Sequence, residues 1–240
     1  MKKIFFVLLC LPFFAGAQSL LGGKNILKWN TSSTALRNYS FTYERSILKH
    51  LSVSLSYRVM PKGNVPFQEQ FADAIQSDDI DFGNMQMANT AWTIEPRIYV
   101  GIGRMKGFYL SPYIRFADFD IFVPISYNNG TGGKNNATFE GTVKSTSGGL
   151  MVGWQFQILN KIVLDFQIVG LHLGNSSGVL DFKQPTPLTP VEKAGLQKTL
   201  NDIDPGPFKF TSTMNDYGAQ IHPTGWAGVR GLNLGIGLRF

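Results

Sequence analysis

Gly231-Leu232-Asn233-Leu234-Gly235-Ile236-Gly237-Leu238-Arg239-Phe240 is the stretch whose reading decides the fold. Leu232, Leu234, Ile236, Leu238 and Phe240 alternate with Gly231, Asn233, Gly235, Gly237 and Arg239. Successive side chains of an extended backbone point to opposite sides, so a period of two marks a strand with one apolar face and one small or polar face. The stretch ends on an aromatic residue. A soluble protein gains little from an exposed Phe at this place, whereas a strand at a lipid boundary does gain from it.

The same alternation recurs upstream. Candidate strands cover 25–30, 38–48, 51–60, 91–103, 107 to about 123, about 139–158 and 162–173, and the last returns from about 227. Leu27 and Trp29 share a face of the first. In the second, Tyr39, Phe41, Tyr43 and Ile47 oppose Ser40, Thr42, Glu44 and Ser46; in the third, Leu51, Val53, Leu55, Tyr57 and Val59 oppose Ser52, Ser54, Ser56 and Arg58. Trp92, Ile94 and Ile98 oppose Thr93, Glu95, Arg97 and Tyr99 in the fourth, and Phe108, Leu110, Ile114 and Phe116 oppose Tyr109, Ser111, Tyr113 and Arg115 in the fifth. The sixth ends on Leu150, Val152, Trp154, Phe156 and Ile158 against Met151, Gly153, Gln155 and Gln157. In the seventh, Ile162, Leu164, Phe166 and Ile168 oppose Asp165 and Gln167, a parity that carries His172 to the apolar face.

Tight turns fall at Lys49, Met105 and Asn160, with long connections between them. In the first long connection Phe67, Phe71 and Ile75 have helical spacing. In the last, Thr189-Pro190-Val191-Glu192 is a capping box with Pro at the first helical position, which predicts a helix to about Ile203. An even number of strands, with short and long connections in alternation, is the pattern of a membrane barrel. The expected fold is therefore all-β: an eight-stranded antiparallel up-and-down transmembrane β-barrel with short helices in the long extracellular loops. The physical reason is that lipid cannot satisfy a free backbone N–H or C=O, so strands that face it must close on themselves. A soluble secreted β-sandwich is the competing fold, but its outer faces carry more Lys and Glu. Trp29, Tyr39, Trp92 and Trp154 suit the aromatic girdles of a barrel. Pro96 and Pro112 stand opposite each other if the turn centres on Arg104, and each deletes a ladder bond, so a local irregularity is expected there.

The first residues read as an export signal. Met1-Lys2-Lys3 is basic, the run from Ile4 to Phe14 is apolar, and Ala15-Gly16-Ala17 offers small residues for cleavage. This divides the chain into a signal peptide, 1–17, and one domain, 18–240. The apolar run is shorter than the ~20 residues of a spanning helix. Cys10 is the only cysteine and lies within the leader, so neither disulfides nor thiolate chemistry is expected of the mature protein. Charged residues are scarce at 16 %, and aromatic residues make up 13 %. Although the formal net charge is +6, no Lys/Arg cluster lies along one face, and no nucleic-acid partner is expected.

Asn233, Gly235, Leu238 and Phe240 resemble the C-terminal sorting signal of bacterial outer-membrane barrels. Asn38-Tyr39-Ser40-Phe41-Thr42-Tyr43-Glu44-Arg45 running into Leu51-Ser52-Val53, then Ile94-Glu95-Pro96-Arg97-Ile98-Tyr99, then Gly107-Phe108-Tyr109-Leu110-Ser111-Pro112-Tyr113-Ile114-Arg115, resemble a family of small outer-membrane barrels of unknown function common in Bacteroidota. The resemblance implies an OmpX-like or OmpA-transmembrane-like barrel in the cell outer membrane, with the two prolines as family features. It implies no established activity. The insert before the last strand is the least family-like part.

Glu44, Glu95 and Asp165, with Arg58, Arg97, Arg115 and Arg239, all project to the polar face and so into the interior of a barrel. Eight strands enclose a space just wide enough for side chains to fill, and buried charges there must pair. A structural ion-pair network is expected, with no open water channel. His172, followed by Asn175, Ser176 and Ser177, faintly resembles the rim site of outer-membrane lipid A deacylases, but Gly174 stands where the serine two residues on belongs. Asp78-Asp79-Ile80-Asp81 lacks the oxygen spacing of a calcium loop, and Gly130-Thr131-Gly132-Gly133-Lys134 lacks that of a phosphate loop. No catalytic residue, metal or cofactor is assigned. The functional expectation is a monomeric, non-enzymatic protein with a structural or surface-interaction role, carried by loops 67–81 and 185–224 toward an unidentified surface partner. Its other partners are outer-membrane lipid and lipopolysaccharide, and the barrel-insertion machinery during assembly.

Overall fold

The computed structural model describes residues 23–65, 79–101, 103–203 and 209–240. The expected signal peptide and the helix around Phe67, Phe71 and Ile75 lie outside them. Ten antiparallel strands form one sheet among the described residues: β1 (Asn25–Asn30), β2 (Tyr39–Ser46), β3 (Leu51–Asn64), β4 (Gln86–Val100), β5 (Gly107–Asn128), β6 (Lys134–Ile158), β7 (Ile162–Gly178), β8 (Leu180–Lys183), β9 (Lys209–Met214) and β10 (Gly218–Arg239). Eight of them close into a ring. Each of β1 to β7 pairs with its neighbour in sequence, β7 pairs with β10, and β10 returns to β1 through Leu27↔Leu238 and Trp29↔Ile236. The sheet thus closes on itself instead of stacking on a second sheet.

The short connections gather at one end of the ring. There Asn25 N donates to Phe240 O at 3.0 Å, Phe240 N donates to Asn25 O at 2.9 Å, and Arg239 N donates to Lys161 O at 2.7 Å. Met105, Leu159 and Asn160 take positive φ (50°, 50° and 58°), as a tight reversal requires. The other end is longer than the alternation predicts. β5 and β6 pair without a break from Gly107↔Gln155 to Asn128↔Lys134, so the gap left between the fifth and sixth candidate strands shrinks to a few residues. Asn129 folds it: its Oδ1 accepts from Thr131 N at 3.0 Å and from Gly133 N at 3.2 Å, while Gly130 and Gly132 supply positive φ.

The long stretch before the last strand is also more ordered than expected. After Gly178, β8 takes up the place of β7 between β6 and β10, through Glu140↔Asp181 and Ala219↔Phe182. β9 forms a hairpin with the start of β10. Two α-helices and one 3-10 turn (Phe82–Asn84) complete the described residues, the α-helices being the single turn α1 (Thr31–Thr34), capped by Asn30, and α2 (Pro190–Asp202). The capping box at the start of α2 has formed. Thr189 Oγ1 accepts from Glu192 N at 3.2 Å, and Thr189 N donates to Glu192 Oε2 at 2.9 Å. Leu196 and Leu200 of α2 are fully buried against the inward side chains Phe119, Ile125, Tyr127 and Phe139 of the extended β5–β6 hairpin, joined by Leu180 and Phe182. The ring interior is therefore apolar toward this end.

Pro96 and Pro112 fall in register, between Ile94↔Ile114 and Ile98↔Leu110, and the β4–β5 ladder is interrupted from Glu95 to Arg97. Ser111 Oγ donates to Pro96 O at 2.8 Å across the gap. Each proline keeps its pairing on the other side, with Val53 and Leu150 respectively, so the ring stays closed.

Candidate functional site

Each ring strand carries its polar face inward, and at the tight-turn end those faces bring charged groups together. Lys28 of β1 stands between the outward Leu27 and Trp29. Its Nζ lies 2.6 Å from Glu44 Oε2, 2.6 Å from Asp165 Oδ2 and 2.9 Å from Gln155 Oε1. Arg97 of β4 enters the same cluster: Nη1 is 2.7 Å from Asp165 Oδ2 and 3.4 Å from Glu44 Oε2, and Nη2 is 2.9 Å from Glu95 Oε2. Tyr99 donates to Glu44 Oε1 at 2.7 Å, Tyr109 to Asp165 Oδ1 at 2.8 Å and Ser52 to Glu44 Oε1 at 2.6 Å. The guanidinium of Arg97 also lies over the Tyr109 ring, 4.5 Å from its centroid. Glu44, Glu95 and Arg97 are wholly inaccessible to solvent. In such a setting an isolated charge is expensive, and here every carboxylate meets a cation and a hydroxyl or second cation. Met105 and Ile26 seal the layer toward the tight turns.

Glu44, Glu95, Arg97 and Asp165 are thus brought together, whereas Arg58, Arg115 and Arg239 make no ion pair among the described residues. Arg58 reaches Asn89 Oδ1 through Nη2, and Arg115 Nη1 donates to Thr93 Oγ1 at 3.1 Å. Arg239 closes the tight-turn end by donating to Gly23 O at 2.5 Å and Gln157 Oε1 at 2.8 Å. Two cations of the interior escaped the sequence reading, Lys28 and Arg230. Lys28 was legible from its place between Leu27 and Trp29. Arg230, whose Nη1 lies 2.9 Å from Glu95 Oε1, was not, because uninterrupted alternation with Leu232 and Leu234 puts it outside.

His172 is corrected for the same reason. It was expected on the apolar outer face, yet it is buried, with Nδ1 2.9 Å from Ser147 Oγ and its ring 6.0 Å from that of Tyr113. The β6–β7 register shifts by one residue between Val152↔Val169 and Gly153↔Gln167. Ile168 and Val169 consequently both face outward, and every side chain beyond them changes sides. β10 keeps its register with β7 and breaks its own alternation at Leu232, which has φ 52° and is 90 % exposed. Inward Arg230 and His172 follow from this paired irregularity. The residue on which a rim hydrolase rested therefore does not reach the rim.

Of the acidic loop residues that are described, Asp79 accepts from Lys134 Nζ at 2.8 Å and Asp81 caps the short turn at Asn84, so the two serve separate contacts. Outside, the ring shows large apolar side chains all the way round, including Leu27, Phe41, Trp92, Ile114, Phe156 and Leu238.

A closed antiparallel ring of eight strands with a buried ionic layer inside and apolar side chains outside is the class of protein these observations define. Over residues 3–176 the chain matches the family described as "Protein of unknown function (DUF3575)", and it belongs to that family. The matched stretch reaches into β7 and includes Lys28, Glu44, Glu95, Arg97 and Asp165; α2, β9, β10 and Arg230 lie beyond it. No curated protein and no solved structure matches the chain.

Proposed function

We propose that this chain is a monomeric outer-membrane β-barrel without enzymatic activity, which serves a structural or surface-interaction role through the long connections opposite its tight turns. One observation carries the reading: the distribution of polarity is inverted relative to a water-soluble protein. Arg97, Glu44 and Glu95 have no exposure, while Leu27 is 53 %, Trp92 50 % and Ile114 51 % exposed. Exposed apolar surface costs about 25 cal/mol per Å² in water, and a continuous band of it marks a surface meant for another apolar phase. Lipid supplies that phase, and ring closure leaves no strand edge in it. Phe240 exchanges backbone hydrogen bonds with Asn25 at the β1–β10 seam, and the resemblance of Asn233, Gly235, Leu238 and Phe240 to a sorting signal supports the same reading.

In this reading outer-membrane lipid and lipopolysaccharide contact the ring, and α2 with the β5–β6 hairpin forms the surface presented to a partner. The experiment is fractionation of cells followed by electrophoresis with and without heating. The barrel reading expects recovery with outer membranes and a shift in migration on boiling. Recovery in the soluble periplasm, with no heat-dependent shift, rejects it in favour of a soluble protein.

A further inference from the structure

The middle of the ring interior carries positive charge that its carboxylates do not answer. Beyond the Lys28–Arg97 layer, toward the apolar end, β3, β5 and β10 bring Arg58, Arg115 and Arg230 inward. Arg230 has Glu95, but Arg97 shares that carboxylate at 2.9 Å. Arg115 is 4 % exposed and, among the described residues, has only the neutral Thr93 hydroxyl, with no partner at its Nη2. Arg58 has, among the described residues, only the neutral Asn89 amide oxygen, with no partner at its Nε. Neither meets a carboxylate among the described residues, and Arg58 and Arg230 both act repulsively on Arg115. The Tyr113 side chain, 3 % exposed, lies beneath the Arg230 guanidinium, which is 4.7 Å from the Tyr113 ring centroid.

A buried guanidinium keeps its charge under all ordinary conditions, so it cannot escape its desolvation by losing a proton. Left without an anion it is among the costliest groups a protein can bury, and each unmade hydrogen bond adds to that cost. Two such groups, Arg58 and Arg115, beside Arg230 and the Tyr113 hydroxyl match one chemistry: an oxyanion with several acceptors, which guanidinium forks bind in pairs. The layer is bounded by Glu95 and Arg97 on one side and by Ala117, Phe119 and Trp226 on the other, and its walls are the polar faces of the strands. A lipid headgroup would have to bring its acyl chains through those walls.

We propose that Arg58, Arg115, Arg230 and Tyr113 form a site inside the ring for a free oxyanion of phosphate or sulfate size. The site does not depend on where the protein resides, since every group in it faces the ring interior. The test is titration of inorganic phosphate into the purified full chain in detergent micelles, at ionic strength held constant with sodium chloride, read by phosphorus NMR line width and by the unfolding temperature. Saturable broadening and a rise in unfolding temperature are expected. Arg115→Gln and Arg58→Gln should each weaken binding roughly tenfold or more, while Lys144→Gln, on the outward face, should leave it unchanged. Absence of saturable broadening in the wild-type chain overturns the site, whatever the variants do. Broadening of equal strength in both arginine variants places the phosphate elsewhere and also overturns it. If one variant fails to fold, the wild-type titration and the other variant still decide.

Discussion

Lys28 Nζ lies 2.6 Å from Asp165 Oδ2, a bond that crosses the ring interior from the first strand to β7. The same ammonium holds Glu44, so the carboxylates of β2 and β7 share a cation supplied by β1. Lys28→Met leaves Arg97 as the remaining cation on both carboxylates. A loss of about 3–5 kcal/mol is expected, the cost of stranding buried charge, measured by urea unfolding in micelles. Adding Asp165→Asn to Lys28→Met should restore part of the loss, because the uncompensated carboxylate is then gone.

The seam between β1 and β10 depends on the absence of a side chain at Gly237. A Cβ there would lie 2.6 Å from Leu27 O and 2.6 Å from Lys28 Cγ, inside any real contact distance. At Gly235 the nearest atoms are at 3.6 Å, an ordinary contact. Gly237→Val should therefore prevent closure, seen as loss of the heat-dependent shift, while Gly235→Ala leaves the folded ring as stable as the wild type. A slower appearance of folded Gly235→Ala in cells, with unchanged stability once folded, is expected if the segment also serves as a sorting signal.

The paired irregularity at Ile168 and Leu232 gives a prediction residue by residue. Single cysteines at 171 and 173 should react with a lipid-phase thiol reagent, whereas one at 172 should not, measured by labelling yield. The reverse pattern would mean that β7 keeps one parity throughout.

That irregularity also separates what the chain discloses from what it hides. β2, β4 and the start of β7 could be read directly, since their side chains alternate without interruption and one outward or interior neighbour fixes the next. Glu44, Glu95, Arg97 and Asp165 lie on those uninterrupted segments, and they are the residues the structure brings together. Beyond Ile168 the period restarts one residue later. The doublet Ile168-Val169, followed by alternating Leu171 and Leu173, carried that information, but a period count begun at Ile162 passes over it. Gly178 to Thr224 was harder. Its strands are short, and Leu180, Phe182, Ala219 and Ile221 bury their side chains against α2 and the β5–β6 hairpin, contacts remote in sequence that no local pattern records. Arg58 and Arg115 were placed on the correct face, yet pairing depends on distances across the ring, which alternation does not encode.

The cap of α2 should make the loop end of the ring sensitive to acid. The Thr189 backbone and hydroxyl bonds hold the Glu192 carboxyl below its ordinary pKa. A depressed pKa contributes stability above the unfolded value and loses it as the pH falls through the folded one. Amide exchange at Leu196 and Leu200 should therefore accelerate below about pH 4 more than exchange in β6, and Glu192→Gln should flatten that difference. Thr189→Ala should loosen α2 by about 1 kcal/mol at neutral pH, read from the same amides.

The central claim is that the outward apolar band meets lipid, and Trp29, Trp92 and Trp154 report on it directly, being 43 %, 50 % and 43 % exposed on the ring exterior. The decisive measurement is tryptophan fluorescence of the Trp226→Phe chain reconstituted in bilayers whose acyl chains carry bromine. Strong quenching by brominated chains, with little quenching by aqueous iodide, is the predicted result. Full iodide quenching with no effect of bromine would place these side chains in water and contradict the account.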